Sequence, residues 1–149
     1  MSRTPPDPAF EADGSLRDIY VAPVGLRDWQ EALTYLRAHG QAVQFTLSGM
    51  LHTLPAATDE LFAFRPAREP LLRFQVAGIS IACHFFNPAE LELDLVPNTV
   101  RSAEQVSALR SFLSGLASAL GKEVRLTREN LREEVLWRVS SASRAASSV

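Results

Sequence analysis

A single cysteine, a single lysine and no long apolar run are the first features of this 149-residue chain. Cys83 alone cannot close an intramolecular disulfide, and a thiolate-rich zinc site lacks its ligands, so a reducing, cytoplasmic setting is expected. No stretch approaches the roughly 18 apolar residues of a membrane-spanning helix. The first ten residues hold Pro5, Pro6, Asp7 and Pro8 where a secretory signal needs an apolar segment. Secretion and membrane insertion are not expected. Lys122 stands against fourteen arginines, a bias expected of a GC-rich, bacterial coding sequence. Those arginines are scattered from Arg3 to Arg144 among 17 acidic residues. No basic stripe is left to displace counterions from a phosphate backbone, which argues against nucleic acid as a partner.

What is present is an ordinary globular composition, 46% hydrophobic and 21% charged. A chain of this size buries roughly 68–70% of the surface its unfolded form exposes, enough for a core without staples. One domain over 14–139 is expected. Residues 1–13 are rich in Pro, Asp and small side chains, and 140–149 are almost all Ser and Ala, so both are expected to be disordered tails.

Two helices announce themselves. Asp28 and Glu31 have capping-box spacing, Trp29, Ala32, Leu33 and Leu36 form an apolar face, and Gly40 offers a residue tolerant of positive φ at the end. Ser102 and Gln105 repeat the box, followed by Val106, Leu109, Leu113, Leu116 and Leu120, with Gly121 as the stop. Gly115, inside this helix, is expected to permit close packing on the sheet. Between the helices, Val43, Phe45 and Leu47 alternate with polar residues, and Ile19 and Val21 mark a shorter strand. A Pro- and Ala-rich stretch from Leu51 to Pro70 reads as one long loop.

Residues 71–95 read as an antiparallel meander with turns at Ala77-Gly78 and Asn87-Pro88. Pairing Val76 with Ile79 sets Phe74 against Ile81 and Leu72 against Cys83. Pairing Phe85 with Leu91 sets Cys83 against Leu93 and Ile81 against Leu95, which makes one face apolar. The other face collects Arg73, Gln75, Ser80, Ala82, His84, Glu92 and Asp94, with His84 across from Glu92. Val124 and Leu126 give a further strand, and 131–139 fits either a helix or a strand, with the strand preferred. The expected fold is α+β, a two-layer sandwich with two amphipathic helices packed on one face of a mostly antiparallel sheet.

No phosphate loop, dinucleotide fingerprint, nucleophile elbow or zinc-protease helix is present, so no cofactor or metal is expected. The polar sheet face supplies the candidate site. Glu92 could orient His84 as a general base, with Ser80 nearby and Arg73 holding an anion; solvated cross-strand pairs are the simpler reading. Glu90, Glu92 and Asp94 project to one side, which suits protection of an edge strand better than a cation site. Cys83 and His84 are adjacent in a strand, point to opposite faces and cannot act as a pair. His39 and His52 have no visible partner and read as structural. Phe62 and Phe64, with Arg65 and Arg68 after them, either anchor the long loop or form an aromatic binding patch; Trp137 is similarly open. The expected binding residues are therefore Arg73, Gln75, His84, Glu92, Asp94, Phe62 and Phe64. The expected function is non-enzymatic binding of another protein, in the manner of an inhibitor or immunity-type module. An enzyme or small-molecule binder using His84, and a self-associating homodimer, are the alternatives.

Overall fold

In a computed structural model, which describes residues 5–64 and 66–141, eight strands form one antiparallel sheet. Along the chain run β1 (Arg17–Val21), α1 (Leu26–His39), β2 (Gln41–Leu47), β3 (Met50–His52), α2 (Thr58–Ala63), β4 (Leu71–Val76), β5 (Ile79–Asn87), β6 (Glu90–Leu95), α3 (Ala103–Leu120), β7 (Val124–Arg128) and β8 (Leu131–Val139). Across the sheet the order is β3-β2-β4-β5-β6-β1-β7-β8. The first strand is thus inserted between β6 and β7, and residues 131–139 are a strand.

The meander register follows from its alternation. Leu72, Phe74 and Val76 of β4 face Cys83, Ile81 and Ile79 of β5, and Cys83 and Ile81 in turn face Leu93 and Leu95 of β6. These side chains are buried against the helices, and burying each large one contributes roughly 1.5–3 kcal/mol. The expected pairing of Phe85 with Leu91 is not part of the ladder. The register jumps from His84↔Glu92 to Asn87↔Glu90, so β5 carries one extra residue there.

The helices cover one face of the sheet as the apolar stripes require. Trp29, Ala32, Leu33 and Leu36 of α1 are buried, as are Leu109, Leu113, Leu116 and Leu120 of α3. Three details differ from expectation. α1 starts three residues early, because Gly25 is its N-cap and Asp28, at the third helical position, accepts the Gly25 N–H at 2.9 Å; Glu31 takes no part. Gly40 has an ordinary φ of −80°, and what demands glycine is space, since a Cβ would come within 2.7 Å of the Leu36 carbonyl and 3.0 Å of Phe74. Gly115 lets α1, not the sheet, come close: a Cβ would sit 2.1 Å from the Tyr35 hydroxyl, which donates to the Phe112 carbonyl at 2.8 Å. At the two ends of α3, Ser102 Oγ accepts from Gln105 N and Gly121 adopts φ 63°, as the sequence suggested, while Gln105 Oε1 accepts from Arg101 N at 2.6 Å and not from Ser102.

Two segments expected to be irregular are built into the fold. The stretch 51–70 contains the end of β3 and the short helix α2, whose Leu61 is fully buried. Within the expected tail 1–13, Pro8–Phe10 forms a single 3-10 turn capped by Asp7, and Phe10 packs edge-on against Trp137 at 5.2 Å. One buried phenylalanine outweighs a polar composition around it. Residues 1–4, 142–149 and Arg65 lie outside the described residues.

Candidate functional site

Period-2 alternation that buries one face of β4, β5 and β6 must present the other, and no helix among the described residues covers it. Rows of side chains can be followed across this outer face. One row runs Leu51, Thr46, Leu71, His84, Glu92, Tyr20 and Arg125; the next runs Gln44, Arg73, Ala82, Asp94, Asp18 and Thr127. Arg73, Gln75 and Ser80 are exposed, and His84, Glu92 and Asp94 are half-buried.

His84 lies across from Glu92 in the backbone register, but its imidazole reaches diagonally. Nε2 is 2.6 Å from Asp94 Oδ2, so the orienting carboxylate is Asp94 and not Glu92. Diagonal neighbours on a twisted antiparallel pair fall within reach of a long side chain. A carboxylate only accepts, so Nε2 donates, and Nδ1 has no hydrogen-bond partner among the described residues. Phe86 stacks on the imidazole at 4.8 Å and 10° and is 73% exposed.

Glu92 turns instead toward β1. Burial raises its pKa above the ordinary carboxylate value, against the lowering effect of the Tyr20 hydroxyl, and the charge of Asp18 raises it further. Burial also pushes the Tyr20 hydroxyl well up, and that hydroxyl donates to Asp18 at 2.9 Å. Glu90 pairs with Arg132, whose guanidinium lies over the Tyr20 ring. The three carboxylates do share a side, but β6 sits between β5 and β1, so they protect no edge. Among the described residues no group of three or more His, Cys, Asp or Glu is arranged to hold a metal ion.

Two concavities meet at the His84–Asp94 pair. On the Asp94 side, a trough of about 450 Å³ is lined by Gln44, Arg73, Gln75 and Ser80 together with Ala42 and Ala82. On the His84 side, a cleft of about 520 Å³ is lined by Phe62, Phe64, Leu71, Phe85 and Phe86, with Glu69 at the edge. The structure thus brings Phe62 and Phe64 to the same place as His84. They also anchor the preceding segment, Phe62 against Trp29 at 5.0 Å and Phe64 against Phe45 at 6.4 Å, so both readings of these aromatics hold at once.

No protein-family model matches this chain, and neither a curated protein nor a solved structure does. The site stands on its own geometry.

Other candidates fall away from it. Ser80 is four residues from His84 along β5, about 13 Å at strand rise, and does not serve as its partner. Cys83 is fully buried on the opposite face, and burial pushes its thiol far above the usual range. His39 stacks on Tyr35 at 4.3 Å, and His52 lies exposed on the edge strand β3. Trp137 is buried, with the Arg110 guanidinium 4.0 Å from its ring centroid. Leu71, Phe86 and Glu69 were not singled out in the sequence. Alternation places Leu71 and Phe86 on the His84 face, so that signal was available for those two; nothing local marks Glu69.

Proposed function

We propose that the protein is a non-catalytic binding module that engages another protein through the outer face of β2, β4 and β5. It would act in the manner of an inhibitor or immunity-type partner, in a bacterial cytoplasm. The observation that carries the reading is Phe86, a large aromatic 73% exposed yet held in place by stacking on His84. A rigid exposed aromatic loses little conformational freedom on binding and is a common energetic centre of interfaces. The same outer face carries Leu51, 68% exposed, and Arg73, which has no ion-pair partner among the described residues. An exposed aromatic on a face that also offers hydrogen-bonding side chains is in keeping with a protein interface. The free, buried thiol of Cys83 agrees with a reducing compartment.

Native mass spectrometry of protein purified gently from its own cells tests this reading. The expected spectrum shows the 16.4 kDa chain together with a whole second polypeptide, and that species disappears in Phe86→Asp and weakens in Arg73→Glu. A species of two copies of this chain would favour self-association instead, and a complex untouched by both substitutions would remove the outer face from the reading.

A further inference from the structure

The cleft on the His84 side has a chemistry of its own that partner binding does not require. Its volume of about 520 Å³ falls in the range of small-molecule sites, roughly 300–1,000 Å³. Its walls are aromatic: Phe62, Phe64, Phe85 and Phe86, whose rings favour edge-to-face or offset contact with another ring. Among the described residues its polar lining side chains are Glu69 and His84. Glu69 contributes a carboxylate with no ion-pair or hydrogen-bond partner among the described residues, and His84, bonded through Nε2 to Asp94, has none at Nδ1. Glu69 is also held at φ 47°, a left-handed conformation that costs a glutamate and concentrates at ligand-binding positions. The guanidinium of Arg68 lies 5.7 Å from the Phe64 ring centroid, so one of these rings already holds a cation.

From these features we infer that the cleft is a binding site for a small arylalkylammonium compound. Its aromatic ring sits among the four phenylalanines, and its ammonium group is directed to Glu69. The Glu69 carboxylate on an apolar wall disfavours the corresponding carboxylates by like charge.

The protein contains its own reporter. Trp29 is buried and packs against two lining rings, Phe62 at 5.0 Å and Phe85 at 5.4 Å, whereas Trp137 packs against Phe10 elsewhere. Tryptophan fluorescence of the full chain is titrated with tyramine, phenethylamine and 3-phenylpropionate, with calorimetry as a second readout. Both amines are expected to give saturable binding at least about tenfold tighter than 3-phenylpropionate, the equivalent of one charge-assisted hydrogen bond. Glu69→Gln, a change at an exposed position, is expected to erase that preference. Arg73→Glu, outside the cleft lining, is expected to leave amine binding unchanged. Saturation by neither amine in either readout, equal binding of 3-phenylpropionate, or an amine preference that survives Glu69→Gln would each overturn the inference.

Discussion

Two polar side chains on this sheet have opposite surroundings. Arg17 in β1 is fully buried, and the chain from Ala9 to Leu16 folds around its guanidinium. Nε donates to the Ala9 carbonyl at 2.6 Å, Nη2 to the Glu11 carbonyl at 2.8 Å, and Nη1 to Ser15 Oγ at 2.8 Å and the Leu16 carbonyl at 3.0 Å, with Asp13 beside them. His84 in β5 has one hydrogen-bonding partner, Asp94, and both side chains remain about one-fifth exposed, at 22% and 21%. A buried charge whose donors are all taken belongs to the fold, because losing it strands several acceptors at once. A half-exposed pair between two concavities, with its second ring nitrogen unpartnered among the described residues, adds little to stability and is available to something outside the chain.

The largest expected effect is at the Arg17 end. Arg17→Met leaves the Ala9 and Glu11 carbonyls without donors, and Phe10→Ala opens a cavity beside Trp137. Each is expected to lower the unfolding free energy by about 3 kcal/mol in urea titration. His84→Gln and Asp94→Asn are expected to stay within about 1 kcal/mol of wild type in the same assay, since each keeps a hydrogen-bonding group at the half-exposed pair.

Acid sharpens the contrast because the two ends respond with opposite sign. The Ser15 hydroxyl and backbone N–H, with Arg17, hold Asp13 well below its ordinary 3.8. A depressed carboxylate contributes stability above that ordinary value and loses it as the pH falls further. Urea midpoints of Asp13→Asn should therefore lack part of the acid loss seen in wild type below about pH 4. Glu92, facing Tyr20 and Asp18 on β1, His84 on β5 and Glu90 on its own strand, is held above its ordinary 4.5 chiefly by burial. A raised carboxylate burdens the fold when ionised, and the burden lifts as the pH falls toward the ordinary value. Glu92→Gln is expected to be more stable than wild type at pH 7, with the difference closing near pH 4.5.

The same contrast explains what could be read in the sequence. The meander from Leu71 to Leu95 was legible because a one-residue slip would have turned Phe74, Ile81 and Leu93 to water, so alternation alone selected the register up to His84. It also put Arg73, Gln75, His84, Glu92 and Asp94 on one face. The choice of Asp94 over Glu92 was not legible, since it depends on twist rather than order. Arg17 left no trace, because most of its partners are backbone carbonyls, which any sequence carries. β3 and α2 were hidden for another reason. β3 is a three-residue edge strand exposed throughout, and α2 has six residues, too few for helical periodicity to emerge.

The claim that the outer face serves binding rather than folding is tested most directly by urea unfolding of the triple variant Arg73→Gln, His84→Gln, Phe86→Asp. The expected result is one cooperative transition within about 1 kcal/mol of wild type, as for surface substitutions away from structural networks. A loss of several kcal/mol would place these side chains in the fold beside Arg17 and contradict the claim.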